Sequence, residues 1–276
     1  MTEQPNPVLP QVILDEPKKV RLHPTNILDE KSQLEQKYLE AILKRGLVIS
    51  GGIGCGKTEL MLYLIKEISQ LPHAQVRVYD IVGNCRRLVN YGFAHEPVHS
   101  DTKVINDLKA KNIIFDLTLE NAEERAEVIK ILTKTSFNFR LKAYKMLNNF
   151  EEFEKFCSIL SVVEEANTIL NTATVKDFWF DYLAMGRNYK MTSIFVMQRL
   201  ADSSTKAIER LPNFAFGMTK GANDLLKIKN MVEDYKMWKI LRQKNITPNK
   251  LEPYEFLMFI DDEIFKFKLE EKDLVK

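Results

Sequence analysis

The sequence predicts an α/β fold: a mainly parallel central sheet flanked by helices, with an N-terminal arm and a C-terminal strand pair. Three observations carry that expectation. Short apolar runs alternate with longer segments of helical period, the pattern of a sheet covered on both faces. The first such run leads through a glycine-rich loop directly into a helical pattern. Several later runs end abruptly in polar or acidic residues, as strands do where a parallel sheet presents its C-terminal edge.

Taken in order, residues 1–26 form an arm. Five of the ten prolines (Pro5, Pro7, Pro10, Pro17 and Pro24) fall there and exclude a regular helix. A single domain is expected over 27–276. It opens with a lead-in helix at 27–45, where Leu34, Tyr38, Ile42 and Leu43 recur at helical spacing and Arg45-Gly46 supplies a basic last turn and a glycine stop. The core, 46–220, has predicted strands at 47–50, 76–80, 112–117, 158–163, 193–198 and 213–218. Helices are predicted at 58–70, 120–147, 175–189 and 201–210. The C-terminal part, 221–270, holds an amphipathic helix at 223–244 and a strand pair at 255–260 and 263–269, with Asp261-Asp262 at the turn.

Composition narrows the function classes. At 276 residues and 45% apolar content, the chain can bury one large core. Its 40 basic and 38 acidic residues leave a net charge of +2, which excludes a protein that coats nucleic acid through a global basic field and leaves only local clusters. Cys55, Cys85 and Cys157 form no C-x-x-C pair, which argues against a disulfide framework or a zinc ribbon. No run approaches the ~18 apolar residues of a membrane helix, and no charged-then-apolar leader opens the chain. The expectation is a soluble cytoplasmic protein without a transmembrane segment.

The glycine-rich loop reads Gly51-Gly52-Ile53-Gly54-Cys55-Gly56-Lys57-Thr58 and fits G-x-x-x-x-G-K-[ST], with Glu59 opening the following helix. Glycines let the backbone curl until successive N–H groups face anionic oxygens, and the helix N-terminus adds its positive dipole end. The pattern predicts a triphosphate site in which Lys57 reaches the β/γ-phosphates and Thr58 ligates Mg²⁺. Acids are then needed beside the terminal phosphate. The run 159–163 ends in Glu164-Glu165, placing the first carboxylate at the metal and the second where it can polarise water. The run 193–197 ends in Gln198-Arg199 at the same predicted edge.

Other patterns are decoys. His95-Glu96-Pro97-Val98-His99 has the letters of H-E-x-x-H, but Pro97 disfavours the helix that would align two histidines. Asp80-Ile81-Val82-Gly83 imitates a GTPase D-x-x-G without a base-reading N-K-x-D elsewhere. Basic residues at Arg140, Lys142 and Lys145, and at Lys227, Lys229, Lys236, Lys239 and Arg242, read as solvated helix faces, with a DNA-contacting patch as the other reading. Leu226, Met231, Tyr235, Trp238 and Leu241 read as core.

From about Gly46 to Leu269 the series of motifs resembles the HerA/FtsK superfamily of RecA-like P-loop NTPase motors, which includes DNA translocases, conjugation ATPases and viral genome-packaging ATPases. The resemblance rests on the phosphate loop, Val76–Asp80 with Gly83, Ile113–Thr118 before a long helix, Val162–Ala166, Gly186-Arg187 ahead of the strand ending Gln198-Arg199, and Leu211–Phe216. It implies ATP hydrolysis with Mg²⁺, Glu165 as the catalytic glutamate, Gln198 as the sensor, and Arg187 as an arginine finger acting on a neighbouring subunit. It also implies a ring, expected as a hexamer, that moves DNA and serves a capsid or membrane machine. A secretion, conjugation or assembly ATPase that does not grip DNA is the alternative. The sequence departs from the family at Glu164, where aspartate is usual.

Overall fold

The computed structural model describes residues 26–27, 30–98, 111–147, 150–173, 175–203, 208, 210–232 and 235–276. Its strands are β1 (Asn26–Ile27), β2 (Leu47–Ser50), β3 (Ala74–Asp80), β4 (Ala94–Pro97), β5 (Asn112–Asp116), β6 (Ser158–Val163), β7 (Met191–Met197), β8 (Phe214–Gly217), β9 (Glu255–Ile260) and β10 (Glu263–Lys268). They form one sheet in the order β1-β10-β9-β8-β2-β7-β6-β3-β5-β4. Neighbours pair in parallel except on the two sides of β9, which runs against β8 and β10. The strand pair expected at the C-terminus is therefore an extension of the main sheet.

Side-chain alternation fills two apolar layers. In β2, Val48 faces one layer with Phe195 and Phe214, while Leu47 and Ile49 face the other with Ile194 and Ala215. The Leu47/Ile49 layer is closed by the helices α1 (Gln36–Arg45) and α2 (Lys57–Gln70), through Tyr38, Ile42, Leu60, Leu64 and Ile68. The Val48 layer is closed by α3 (Ala122–Met146), α5 (Ala166–Leu170) and α6 (Lys176–Met185), through Ile129, Ile169 and Trp179. Between α3 and β6 lies the short helix α4 (Phe150–Glu154). The central strands are buried on both faces, so every side chain of β2 and β7 is inaccessible to water.

The helix α3 starts where the sequence supplies a capping box: Asn121 accepts from the N–H groups of Glu123 and Glu124, and the Glu124 carboxylate accepts from the Asn121 N–H. The buried Arg77 on β3 donates to Ser136 of α3, and Tyr79 shares a hydrogen bond with Thr133, tying that helix to the sheet.

Several elements differ from the sequence-based expectation. The lead-in helix begins at Gln36, not 27, because Asn26–Ile27 pair along β10 and Lys31 exchanges hydrogen bonds with Lys266 and Lys268 there. Residues 1–25 of the arm lie outside the described residues. The helix expected at 223–244 is two, Ala222–Met231 and Tyr235–Gln243, with the Val232 N–H closing the first on Ile228 O. Leu226, expected in the core, is exposed, whereas Leu241 is buried and Met231 and Trp238 pack partly against the core. Of the helix expected at 201–210, Ile208 is helical and most of the rest lies outside the described residues.

Two basic residues also turn inward. Arg140 is buried, donates to the carbonyl of Cys157 and lies over the ring of Phe156, and Lys227 donates to the carbonyls of Leu200 and Ser203. Both carry structural hydrogen bonds and are lost to any basic face. Lys142, Lys145, Lys229 and Lys239 remain at or near the surface. Among the described residues no helix is long and apolar enough to cross a membrane.

Candidate functional site

The sheet topology brings the ends of β2, β7, β6 and β3 to one edge, and that edge carries the predicted chemistry. After β2, Gly54 and Gly56 adopt left-handed backbone at φ 76° and 93°, where a side chain would be strained, and the chain enters α2 at Lys57. Cys55 is buried beneath the loop; a Cβ at Gly51 or at Gly217 would sit 2.7 Å from its sulfur. Burial pushes its thiol pKa up against the opposing charge of Lys57, so Cys55 is a packing residue of the loop and not a reactive thiolate. Gly52 N–H donates to Met218 O at 2.8 Å, tying the loop to the end of β8, while Ile53 stands 85% exposed at its tip. Lys57 Nζ donates to Gly52 O at 2.8 Å, so its ammonium lies within the loop that its own helix follows.

Across the cleft, β6 ends at Val163 and leads into Glu164. Thr58 Oγ1 donates to Glu164 Oε1 at 2.9 Å, joining two residues 106 positions apart that the sequence assigns to one metal. Asn84 Nδ2 donates to the same oxygen at 3.2 Å. Glu164 Oε2 is buried without a hydrogen-bond partner. Burial raises the pKa of this carboxyl, and the hydrogen bonds from Thr58 and Asn84 offset only part of the effect. A buried carboxylate oxygen without a donor, next to the loop hydroxyl, suits a divalent cation, whose charge would compensate the desolvation. The extra methylene of glutamate does not carry this carboxylate away from Thr58.

The next residue, Glu165, caps α5 in left-handed backbone at φ 49°, unusual for a residue with a side chain. Gln198 Nε2, from the end of β7, donates to Glu165 Oε1 at 2.7 Å. The structure thus joins Lys57 to its loop, Thr58 to Glu164 and Glu165 to Gln198. Beside them, Gly52, Ile53, Gln198, Arg199, Met218 and Lys220 are among the residues lining an open cleft of about 430 Å³. Arg187 is not part of this cluster. It is exposed on the one-turn 3₁₀ helix Gly186–Tyr189 before β7, in a groove with Arg45, Ser158, Lys190 and Asp261, at the opposite edge of the sheet. It lies away from the phosphate loop of its own chain.

Sequence reasoning missed Asn84. The Asp80-Ile81-Val82-Gly83 segment positions it: the Asp80 carboxylate accepts from the N–H groups of Val82, Gly83 and Cys85, at 3.2, 2.6 and 2.9 Å, and Gly83 turns at φ 93°. Asp80 is thus the anchor of a turn that aims Asn84 at Glu164. The aspartate-to-glycine spacing was the available signal. It also missed the pairing of Glu59 with Arg87, at 2.9 and 3.2 Å, which fixes the first turn of α2 and through Arg87 holds the carbonyl of Val275. His95 lies in β4, not on a helix, which removes the zinc motif; His99 is outside the described residues.

Farther along the same edge, Asp116 ends β5. Burial alone would raise its carboxyl, but hydrogen bonds from the Thr118 hydroxyl, Arg86 and the Thr118 N–H outweigh that and lower its pKa to about 2. A carboxylate depressed from an unfolded value of about 3.9 contributes stability above that pH, lost as pH falls through about 2. Asp116→Asn is therefore expected to lower the unfolding free energy at pH 7 by on the order of 2 kcal/mol. In urea titrations, its difference from wild type should shrink as pH falls from 5 towards 2.

No family model matches the chain, and no curated protein matches its sequence. Solved structures do match. The genome packaging NTPase B204 from Sulfolobus turreted icosahedral virus 2, in complex with ATPγS, superposes with a TM-score of 0.54 at 14% identity, over 83% of this chain and 98% of B204. ATPases 2 and 3 of EssC from Geobacillus thermodenitrificans give 0.54 at 13%, over 79% of this chain and 38% of theirs. The pCW3 conjugation coupling protein TcpA with ATPγS gives 0.52 at 13%, over 84% of this chain and 63% of TcpA. At these identities the likeness shows the fold, a RecA-like P-loop NTPase.

Proposed function

We propose that this chain hydrolyses ATP with Mg²⁺ and works as a ring-forming motor that translocates DNA, in the manner of a viral genome-packaging ATPase. The observation that carries the ATPase reading is the convergence of Thr58 on Glu164, whose second oxygen is buried and unpartnered, beside Glu165 held by Gln198. In this reading the backbone N–H groups that follow Gly52 in the loop and the Lys57 ammonium bind the phosphates, while Thr58 and Glu164 hold the cation. Bound Mg²⁺ would neutralise charge developing on the β- and γ-phosphate oxygens. Glu165 accepts a proton from the attacking water, and Gln198 orients that carboxylate and responds to the terminal phosphate. Arg187, on the far edge of the sheet, serves the site of a neighbouring protomer, which ties hydrolysis to assembly into a homo-oligomer, expected as a hexamer.

The DNA-moving part of the proposal is supported by the overlap with B204, a genome packaging NTPase, along almost the whole length of B204. A capsid is the corresponding partner. The second reading, a secretion, conjugation or assembly ATPase that does not grip DNA, is supported by the overlaps with EssC and TcpA and by the inward turn of Arg140 and Lys227. Filter binding of duplex DNA over a salt series separates the two. A DNA motor is expected to lose affinity with a log–log slope of about −0.9 for each phosphate contacted, and DNA should stimulate its hydrolysis. An assembled chain that hydrolyses ATP at one rate with or without DNA, and binds none, would replace the first reading with the second.

A further inference from the structure

Tyr254 precedes β9 and stands against the phosphate loop in a way that core packing does not explain. Its backbone is left-handed, at φ 66°, a conformation that glycine or asparagine adopts at less cost. That backbone is pinned on both sides: the Tyr254 N–H donates to Cys55 O at 2.9 Å, and its carbonyl accepts from Leu269 N–H at 3.0 Å. The ring lies along Gly56, where an added Cβ would meet Tyr254 Cδ1 at 2.7 Å. The aromatic residues that follow in the same hairpin, Phe256, Phe259, Phe265 and Phe267, are buried, yet Tyr254 is 41% exposed. A costly backbone conformation, held in place from both sides, thus presents an aromatic face to solvent beside a phosphate-binding loop.

Its location in the sheet gives that face a direction. β7 and β6, which carry Gln198, Glu164 and Glu165, lie on one side of β2; β8 and β9 lie on the other, and Tyr254 stands at the start of β9. A triphosphate whose terminal phosphate meets the acids of β6 directs its nucleoside away from them, towards the β8–β9 flank. Resting on the nucleotide reading above, we propose that Tyr254 is the platform on which the base of the bound nucleotide stacks, a binding residue preorganised by its two backbone hydrogen bonds. Stacking uses the π-face that every base has, so Tyr254 supplies affinity for the base with little choice among bases.

The test is calorimetric titration of the full chain, with Mg²⁺ present, by ATP and separately by inorganic tripolyphosphate, which has the phosphates without the base. Y254G keeps the left-handed backbone and removes the ring; Y254F keeps the ring and removes the hydroxyl. Y254G is expected to weaken ATP binding about tenfold and to leave tripolyphosphate within about twofold, with Y254F close to wild type for both. Equal weakening of the two ligands by Y254G would reduce Tyr254 to a prop for the loop and overturn the proposal, as would no change in either. Wild-type chain that takes up neither ligand would sink the nucleotide reading itself, and the unmutated control tells that failure apart from the others.

Discussion

Glu165→Gln is expected to reduce ATP turnover by about three orders of magnitude, within the range for loss of a general base, while leaving ATP affinity close to wild type. The expectation follows from where the residue stands. Glu165 follows the strand end that puts Glu164 on Thr58, and its left-handed backbone rotates its carboxylate away from that contact to meet Gln198. Glutamine keeps the shape and the hydrogen-bonding partner but cannot take a proton from water. Because Arg187 lies at the opposite sheet edge, its alanine variant should be equally slow for a different reason. Mixing E165Q protein with R187A protein should then recover part of the activity, since some interfaces would pair an intact Glu165 with an intact Arg187. Turnover in E165Q near that of wild type would remove the residue from the chemistry, and mixtures no faster than either parent would remove Arg187 from the neighbour's site.

Part of this architecture is legible in the sequence. The strands 47–50 and 158–163 match β2 and β6 residue for residue, because each is a mainly apolar run bounded by a glycine turn or a polar break. The contact between Thr58 and Glu164 was foreseeable for the same reason: both follow buried parallel strands, and parallel strands end at a common edge. β4 escaped because Ala94-His95-Glu96-Pro97 is polar and contains proline, tolerable only where one side of the strand is unpaired, as it is at the sheet edge. The division of the 223–244 helix escaped because the apolar period continues across the break. Asn84 and Tyr254 act through partners 80 and roughly 200 positions away, and no local pattern encodes such a distance. Arg140 read as a surface charge because its identity alone does not show that the carbonyl of Cys157 awaits it.

Lys57→Ala is expected to weaken ATP binding by about a hundredfold and to remove measurable hydrolysis. Nothing else in the loop can replace its charge. The surrounding residues are glycines, the exposed Ile53, and Cys55, whose buried thiol is held in its neutral form. With its ammonium on the carbonyl of Gly52, Lys57 rests inside the curl where phosphate oxygens would enter, and a small shift would bring it to them. Alanine leaves the backbone N–H groups and the α2 dipole in place, so residual weak binding should persist, in contrast to a variant that fails to fold.

Every assignment rests on the loop closing around a magnesium-bound triphosphate. The most direct measurement is a calorimetric titration of Mg²⁺·ATP into the full-length wild-type chain, run beside Lys57→Ala of equal thermal stability. The structure leads us to expect saturable uptake by wild type, at up to one nucleotide per protomer, and uptake about a hundredfold weaker in the variant. Folded wild-type protein that takes up no nucleotide, or a variant that binds as tightly as wild type, would contradict it.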